Sequence, residues 1–388
     1  MLDLGSQPLA NSFIAPAALA APEPRYPLEL CRCATCGHVQ LSLTVPPEVM
    51  FRDYLYVSGT SDTIPVHFAA YATDVAGRFV PDGGLVVEIG SNDGTLLRAF
   101  DRSKVRILGV EPARNIAKLA NAAGIPTLAE FFDGPIATRI VAEHGQASAI
   151  IGNNVVAHID DLHGLFRGVK TLLAPGGVLV VEFPYLVDLL ERRAYDTIYH
   201  EHLSYFSVAS IVDLAARFGM RVVDALRVSV HGGSIRIFLS ATGTPSKAVE
   251  ALLALERSMR LAEGEPLGAF VADVHRQRDD LRSLLADIRK TRRIAGYGAP
   301  AKGNTLLNFC GIDASMLEFV VDRSPLKHGL LTPGTHIPVE APERLLASGI
   351  TDTLLLAWNF ADEILRQQQT YRSNGGRFVI PIPTPRVV

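Results

Sequence analysis

The sequence predicts an α/β protein built around a doubly wound parallel sheet that ends in an antiparallel hairpin. Short apolar runs alternate with helical segments, as they do in buried parallel sheets; the runs are 85–89, 105–110, 149–152 and 178–183. A glycine-rich turn directly follows the first run. Two later strand-like runs, 221–230 and 234–240, flank His231-Gly232-Gly233, which is typical of a hairpin turn. The hairpin distinguishes this sheet from a plain dinucleotide-binding fold.

The chain divides into three predicted parts. Residues 1–66 are rich in Pro and Gly and predict a small irregular or β-rich lobe. Residues 67–243 begin with a helix at about 67–79 and contain the parallel sheet. Residues 244–388 begin with two charged helices and continue as a smaller α/β domain. The helices of this last part are predicted at 246–261 and 267–290, and its strands at 294–297, 317–321, 353–357 and 377–380.

The composition favours a reduced, cytoplasmic enzyme with a small-molecule substrate. The 388 residues carry a formal charge of −3, and the sequence pI of about 6.4 argues against a dedicated nucleic-acid binder. Hydrophobic residues make up 48%, enough for a sizeable core, but no apolar run is long enough for a membrane span. We see no secretory signal, and four cysteines in so long a chain do not indicate a disulfide scaffold.

The first glycine-rich turn predicts a site for S-adenosylmethionine (SAM). Its middle residue is Asn, where the fingerprint for nicotinamide cofactors has Gly, and an acidic residue at the strand end suits a cationic ligand rather than a pyrophosphate. A second carboxylate about twenty residues later is placed to accept ribose hydroxyls. A nicotinamide cofactor and a turn without any ligand are the alternatives. The predicted cofactor residues are Glu88, Gly90, Ser91, Asn92, Asp93, Gly94, Glu111, Asn153 and Asn154.

A second cluster, Tyr199-His200-Glu201-His202, predicts proton transfer after the fifth strand. Imidazole is the side chain best matched to proton transfer near neutral pH, and a neighbouring carboxylate raises its basicity. In a helix, Tyr199 and His202 would share a face, with Glu201 to one side. Structural hydrogen bonding and metal binding are the alternatives. His158, just after Asn153-Asn154, is either a cleft residue or a core histidine.

A second glycine-rich turn runs over residues 294–303 and is closer to the nicotinamide fingerprint than the first. Asp322 ends the next predicted strand, in the position of a ribose carboxylate. Taken alone, this turn is as consistent with an NAD site as with none. Arg323 and Asn359 are weaker candidates near strand ends.

The sequence resembles the SAM-dependent C-methyltransferases of deoxysugar biosynthesis over nearly its whole length. The resemblance rests on an ordered set of motifs, each of them weak alone. They are Pro8-Leu9-Ala10-Asn11, the Cys33/Cys36 element with Gln40-Leu41, Phe51-Arg52-Asp53-Tyr54-Leu55-Tyr56-Val57-Ser58, the segments 88–94, 153–158, 199–202 and 231–236, and the turn 296–304.

The resemblance implies a zinc-binding N-terminal lobe, a class I SAM methyltransferase core and a C-terminal Rossmann-like domain. It implies a nucleotide-diphosphate 4-keto sugar as substrate and His202 as general base, with Tyr199, Glu201 and His158 beside it. The second glycine-rich turn then helps to hold the nucleotide sugar through helix N–H groups and Lys302. The resemblance adds Tyr56 and Ser58 to the cofactor site and implies substrate contacts at Tyr54, Tyr185, His231, Lys302, Asn304 and Arg323.

The resemblance implies a zinc lobe with two cysteine pairs. This chain matches one of them, Cys33 and Cys36. Cys31 is an extra thiol, and His38 would make a cramped fourth ligand, whereas a structural zinc site needs four well-spread ligands. We therefore expect reduced thiols here, with either a segment missing upstream or the metal lost. Two other functions stay open: an NAD-dependent enzyme that uses the second turn, and a non-catalytic nucleotide-sugar binder. The sugar, the carbon and the oligomeric state are not predicted.

Overall fold

The computed structural model describes residues 2–52 and 63–388, and β-strands in three sheets organise them. The strands are β1 (Leu2–Pro8), β2 (Arg25–Arg32), β3 (Val39–Leu41), β4 (Leu85–Ile89), β5 (Arg106–Val110), β6 (Thr127–Leu128), β7 (Ala147–Asn153), β8 (Leu173–Pro184), β9 (Ser204–Tyr205), β10 (Arg221–Val228), β11 (Ser234–Ser240), β12 (Ile294–Tyr297), β13 (Val320–Val321), β14 (Val339–Glu340), β15 (Asp352–Leu355), β16 (Arg377–Ile380) and β17 (Arg386–Val387).

Helices cover both faces of the sheets and join their strands. They are α1 (Pro47–Phe51), α2 (Thr63–Phe79), α3 (Arg114–Ala122), α4 (Gly134–His144), α5 (Leu162–Leu172), α6 (Leu186–Arg192), α7 (Val208–Ala216), α8 (Lys247–Ser258), α9 (Glu265–Arg289), α10 (Ala301–Cys310), α11 (Glu343–Ala347), α12 (Ala361–Gln367) and α13 (Gln369–Ser373). In the part of the chain that the structure describes, none of these helices combines the length and the apolar character that crossing a membrane requires.

The central sheet has the strand order β10-β11-β8-β7-β4-β5-β6. Its neighbours are parallel except for β11, which runs antiparallel to both β8 and β10. This arrangement confirms the predicted parallel sheet with its terminal antiparallel hairpin, and its strand order agrees with the methyltransferase core that the resemblance implies. All five residues of β4 are buried because helices cover both faces of the sheet. The carboxyl ends of β4, β5 and β7 therefore meet at one edge, where ligands bind in such sheets.

The N-terminal sheet has the order β1-β2-β3-β9 and is antiparallel throughout. The sequence predicts this lobe as irregular or β-rich, and three of its strands come from residues 2–41. The fourth strand, β9, was not predicted, because two residues are too few to show an alternating pattern. It lies directly after His202 and pairs with β3 through Ser204 and Tyr205. The N-terminal sheet thus holds the end of the His-Glu-His segment.

The C-terminal sheet has the order β14-β13-β12-β15-β16-β17 and is parallel except for the last pair. Strand β12 leads through the second glycine-rich turn into α10, as predicted, but the strand predicted at 317–321 is reduced to the two residues of β13. The long helix α9 connects this sheet to the rest of the chain. The domain limits at residues 66 and 243 stay a prediction.

A buried ionic network fixes α2 against the central sheet. Glu182 on β8 accepts hydrogen bonds from His67 Nε2 (2.8 Å) and Arg236 Nε (2.9 Å). The Glu182 side chain is 1% exposed, and the guanidinium of Arg236 lies 3.5 Å above the ring of Tyr71. These partners hold the pKa of Glu182 below its usual value although burial alone would raise it. A carboxylate this deep is tolerated only because both of its oxygens are paired.

Replacing Arg236 with Met should lower the free energy of unfolding by about 3–5 kcal/mol, because it leaves a buried carboxylate without one of its two partners. Urea unfolding followed by circular dichroism measures this loss. Arg139→Met is the matched control, since Arg139 bonds Glu143 on the exposed surface of α4 and should leave the unfolding midpoint unchanged. Equal midpoints for both variants would show that the Glu182 network does not contribute to stability.

Candidate active site

A cavity of about 780 Å³ opens where the carboxyl ends of β4, β5 and β7 meet. It extends from there to the turn before α10, so the N-terminal, central and C-terminal parts of the chain all contribute to its wall. Asn11 and Met50 line it from the N-terminal region, Glu88 and Asn153 from the central sheet, and Lys302 from the start of α10. The volume lies in the range of small-molecule sites.

The first glycine-rich turn forms one end of the cavity. Gly90 has a φ of +64°, and a Cβ at this position would lie 2.7 Å from Cγ2 of Val155. Gly94 has a φ of +76°, and its Cβ would meet Ile125 at 2.8 Å. Asn92 takes the left-handed conformation with a φ of +50°. The turn therefore needs glycine at both positions and brings bare backbone to the cavity wall.

Glu88, at the end of β4, lines this end of the cavity with an unsatisfied oxygen. Its residue surface is 4% exposed, and Oε2 has no hydrogen-bond partner within the described residues. Burial, and to a smaller extent the charges of Asp93 and Glu111, raise the pKa of Glu88 well above its usual value. A buried carboxyl group without a partner is costly unless a ligand supplies one. A cationic ligand would do so.

Two further polar groups stand beside Glu88. Glu111, at the end of β5, accepts hydrogen bonds from the backbone N–H groups of Asn92 (2.9 Å) and Ala113 (2.8 Å). Burial raises the pKa of Glu111 against the effect of these bonds. Asn153, at the end of β7, has neither Oδ1 nor Nδ2 satisfied by another described residue. Each group retains capacity for hydrogen bonds to a ligand in the cavity.

Most of the predicted cofactor residues lie on the cavity wall. Asp93 and Gly94 do not; Oδ1 of Asp93 instead accepts bonds from the N–H and hydroxyl of Thr95 and so closes the turn. Tyr56 and Ser58 lie outside the described residues. The predicted residues on the wall are Glu88, Gly90, Ser91, Asn92, Glu111, Asn153 and Asn154.

His202 and Tyr199 face the middle of the cavity and are hydrogen-bonded to each other. The Tyr199 hydroxyl lies 2.8 Å from Nε2 of His202, and Nδ1 of His202 lies 2.8 Å from the carbonyl oxygen of Thr197. A carbonyl oxygen only accepts, so Nδ1 carries the proton, and the lone pair of Nε2 accepts a hydrogen bond from the Tyr199 hydroxyl. The segment is a turn rather than a helix, closed by a bond from the His202 N–H to the Tyr199 carbonyl.

His158 stands against His202, with ring centroids 4.8 Å apart. Its Nε2 is buried and finds no hydrogen-bond partner among the described residues, and its other ring face stacks on Phe51. Burial, and next the neighbouring His202, lower the pKa of His158 well below its usual value. His158 is therefore neutral in the free protein. It lines the cavity and is not a satisfied core histidine.

Glu201 is not the partner of the His202 ring. The sequence suggested that a neighbouring carboxylate raises the basicity of the imidazole, but the Thr197 carbonyl occupies Nδ1. The Glu201 side chain points to the N-terminal segment, where Oε1 accepts a bond from Nδ2 of Asn11 (2.7 Å), and it lies outside the cavity wall. Successive residues of a turn point in different directions, which the sequence alone did not resolve.

Two lysines mark the other end of the cavity. Lys302, at the start of α10, has Nζ 4.6 Å above the ring of Trp358. Burial lowers the pKa of Lys302 to about 8, opposed by the charge of Asp196. Lys327 was not predicted; its Nζ donates to the Ala299 carbonyl (2.8 Å), and burial lowers its pKa too. No sequence motif marks Lys327, which comes from a short helical turn after β13.

Similarity to known proteins shows the family to which the chain belongs. The chain is 39% identical over 393 residues to the C-methyltransferase NovU of Streptomyces niveus, a match that covers all of this chain and 94% of the relative. The chain belongs to this C-methyltransferase family. Three family models match it in order: "Putative zinc binding domain" at residues 1–51, "Methyltransferase domain" at 67–225 and "C-methyltransferase C-terminal domain" at 229–383. The protein is a SAM-dependent C-methyltransferase, as the sequence predicted.

Solved structures resemble part of this C-methyltransferase. The cyclopropane synthase MmaA2 of Mycobacterium tuberculosis covers 49% of this chain and 91% of its own, at 12% identity and a TM-score of 0.36. The magnesium protoporphyrin IX methyltransferase of Synechocystis PCC 6803, solved with bound SAM, covers 46% of this chain and 79% of its own, at 11% identity and a TM-score of 0.34.

The cysteines of the N-terminal lobe do not form a metal site with the residues described. No group of three or more Cys, His, Asp or Glu side chains suited to a metal ion occurs in residues 2–52 and 63–388. Cys33 and Cys36 are reduced in a tight turn, where hydrogen bonds from Cys36 lower the pKa of Cys33 to about 7. His38, considered as a fourth ligand, instead places Nε2 at 3.2 Å from the Ser204 hydroxyl.

Three of the predicted substrate residues lie away from the cavity wall. Tyr185 is fully buried in the core, where its hydroxyl donates to Glu256 (2.7 Å). Asn304 faces the N-terminal segment, and its Nδ2 donates to the carbonyl of Ala10 (2.7 Å). Arg323 lies 3.6 Å from Glu363. Their places in the sequence, next to strand ends and a glycine-rich turn, could not show these directions. Tyr54 lies outside the described residues, as does the side chain of His231.

The residues present fit SAM at the first glycine-rich turn. Gly90 brings bare backbone to the cavity wall, and Oε2 of Glu88, which has no partner among the described residues, suits the cationic amino acid part of the ligand. Glu111 suits the ribose hydroxyls, and Asn153 has donors and acceptors to spare. These four residues are the ones that would hold the cofactor.

Binding of SAM should release a proton from Glu88. Burial raises the pKa of this carboxyl group in the free enzyme, so it holds its proton above the usual pH, and a bound cation favours the ionised form. Affinity for SAM should therefore rise as the pH rises toward the raised pKa. Isothermal titration calorimetry in two buffers of different ionisation enthalpy measures the released protons. Glu88→Gln should abolish the release; release that persists there and disappears in Glu111→Gln would assign it to Glu111.

Proposed function

We propose that this C-methyltransferase adds a methyl group to the carbon next to the ketone of a nucleotide-diphosphate 4-keto-deoxysugar. The observation that carries the proposal is the hydrogen-bonded pair of His202 and Tyr199, which faces the same cavity as the cofactor turn. A carbon next to a ketone is methylated after loss of its acidified proton. That reaction needs a base near neutral pH and a hydrogen-bond donor for the enolate oxygen. The pair supplies both.

His202 acts as the base through Nε2. The Thr197 carbonyl holds the proton on Nδ1, so the lone pair of Nε2 faces the cavity. Nε2 takes the proton from the substrate carbon, and the electrons of the broken C–H bond form the enolate. The Thr197 carbonyl then stabilises the imidazolium through the same hydrogen bond. Nothing in this step requires Glu201, whose carboxylate lies in another direction.

Tyr199 and His158 serve the enolate oxygen. In the free enzyme the Tyr199 hydroxyl donates to Nε2 of His202, the atom that must receive the substrate proton. When the substrate is bound, the hydroxyl turns to the ketone oxygen and donates to it instead. His158 is neutral and has an unpartnered Nε2 toward the same space, so a proton on Nε2 gives a second donor. Donors placed in a desolvated site stabilise a developing charge strongly.

When bound, SAM would supply the electrophilic methyl group, with the neutral thioether S-adenosylhomocysteine as the leaving group. The chain's own contribution is to hold the two ends of the cavity in fixed relation. The turn at Gly90 is anchored on the central sheet, and the His202 turn is anchored on the N-terminal sheet. Correct placement of reacting groups supplies a large part of the rate gain in such transfers.

Lys302 supports a phosphorylated substrate at the far end of the cavity. Its ammonium group lies on the wall beside the N-terminus of α10, where backbone N–H groups favour anions. Asp322 closes the second turn in the way that Glu111 closes the first, because its two oxygens accept bonds from the N–H groups of Ala299 (2.6 Å) and Ser324 (2.8 Å). A non-catalytic binder would not need the His202–Tyr199 pair.

The proposal is tested by incubating the enzyme and SAM with a panel of nucleoside diphosphate 4-keto sugars and measuring product masses. We expect one methyl group to be added to at least one member, and NMR of that product locates the carbon. A protein that binds SAM but modifies no member of the panel contradicts the proposed substrate class and leaves the family assignment intact.

Changing His202 to Gln should abolish proton abstraction but not cofactor binding, because the amide cannot take a proton near neutral pH. In D₂O with S-adenosylhomocysteine in place of SAM, the wild type should exchange the proton next to the ketone. His202→Gln should slow this exchange by about 10²-fold or more. NMR of the sugar follows the exchange, and calorimetry checks SAM affinity. His144→Gln, an exposed change on α4, is the control. Exchange at the wild-type rate in His202→Gln would assign the base elsewhere.

A further inference from the structure

Trp358 bridges the C-terminal sheet and the turn that carries the base. It follows β15, and its Nε1–H donates to Oδ2 of Asp196 at 2.6 Å. Asp196 is fully buried in the short helical turn Tyr195–Thr197, between α6 and β9. Trp358 also touches the hairpin of the central sheet, since a Cβ on Gly232 would lie 3.2 Å from its ring. One indole therefore contacts two separate segments of the methyltransferase core.

Asp196, which accepts the Trp358 hydrogen bond, is the neighbour in sequence of the residue that is hydrogen-bonded to His202. Thr197 directly follows Asp196, and its carbonyl holds Nδ1 of His202 at 2.8 Å. The turn is closed on itself by a bond from the Thr197 hydroxyl to the Ala194 carbonyl (2.7 Å). A shift of Asp196 therefore moves the Thr197 carbonyl, and with it the ring whose Nε2 faces the cavity. The path from Trp358 to the base contains no flexible linker.

In addition to the Trp358 hydrogen bond, a charged group of the C-terminal region acts on Asp196. Lys302 on α10 pulls its pKa down, together with the Trp358 hydrogen bond, whereas burial raises it to about 6. The other ionisable groups that face it are Tyr195 and Cys310, which are joined to each other at 3.4 Å and stay neutral because burial raises both pKa values. Oδ1 of Asp196 has no partner among the described residues. A buried carboxylate with so few partners depends on each of them.

We propose that Trp358 and Asp196 are positioning residues for the base, so that docking of the C-terminal region orients His202. Neither residue touches the reacting atoms in this role. The hydrogen bond holds the turn at 195–197, the turn holds the Thr197 carbonyl, and the carbonyl fixes the ring and its tautomer. Lys302 lines the cavity and also faces Asp196. It therefore connects Asp196 and Trp358 to the end of the cavity proposed for the substrate phosphates. The catalytic consequence rests on the proposed role of His202.

Trp358→Phe tests the proposal because it removes the N–H donor and keeps an aromatic ring. We expect kcat to fall by about tenfold or more while KM for SAM stays within about twofold, since misplacing a reacting group lowers the rate and the cofactor turn is untouched. Tyr371→Phe is the matched control. It also removes one buried hydrogen bond of the C-terminal domain, between the hydroxyls of Tyr371 and Thr353 (2.8 Å), and both residues lie away from the turn at 195–197. Equal kcat values in the two variants would overturn the proposal.

A second measurement needs no substrate. In protein labelled with ¹⁵N-histidine, NMR reports the protonation of each imidazole nitrogen, and His202 is assigned by its loss in His202→Gln. The bond to Thr197 predicts a protonated Nδ1 in the wild type and in Tyr371→Phe, and a mixed or inverted tautomer in Trp358→Phe. An unchanged His202 signal in Trp358→Phe would overturn the proposal. If the wild type methylates no sugar of the panel, the proposed substrate fails and this measurement alone decides the positioning role.

Asp196→Asn separates the hydrogen bond from the charge. The amide keeps an oxygen that accepts from Trp358, so positioning predicts a smaller loss of kcat than in Trp358→Phe. The opposite order would assign the effect to the charge facing Lys302 and overturn the proposal. Trp358 is the sole tryptophan of the chain, so its fluorescence reports on this bond directly. Emission should titrate with a midpoint near the Asp196 pKa of about 6 in the wild type, and this transition should vanish in Asp196→Asn.

Discussion

Burial of ionisable groups where the three sheets meet is the constraint on which the rest of this enzyme depends. Each buried charge needs a partner. Glu201 is bonded by Asn11 of the N-terminal segment, Asp196 by Trp358 of the C-terminal region, and Glu182 by Arg236 on the neighbouring strand of the central sheet. The first two bonds connect both outer parts of the chain to the segment that carries His202.

The same burial sets the protonation states that the chemistry needs. It raises the pKa of Glu88 and lowers that of His158, which favours the neutral form of both groups in the free enzyme. Glu88 ionises when a cationic cofactor binds. A neutral His158 leaves His202 as the imidazole that takes up a proton. Two imidazoles with centroids 4.8 Å apart would repel each other if both were protonated. Burial thus leaves a carboxyl group that ionises on binding a cationic cofactor at one end of the cavity, and one imidazole as the proton acceptor in the middle.

The sequence predicted what local patterns specify. The strand at 85–89 and its glycine turn were found to the residue, because β-branched runs and fixed glycine spacing are strong local signals. The proximity of Tyr199 to His202 followed from their spacing of three. Directions of side chains did not follow: Glu201 turns to Asn11, Tyr185 to Glu256 and Asn304 to Ala10. Those directions depend on contacts between distant segments, which no local pattern encodes. Lys327 and Trp358 were missed for the same reason.

The placement of the base explains why the methyltransferase core carries two additional parts. The cofactor turn directly follows β4, so the central sheet holds it in position. His202 lies in the long connection between α6 and α7, where no strand of the central sheet fixes its position. That connection is held on one side by pairing of β9 with β3 of the N-terminal sheet and on the other by the bond from Trp358 to Asp196. A base on a loop becomes rigid only when both sides are docked, so the two outer parts complete the active site that the core begins.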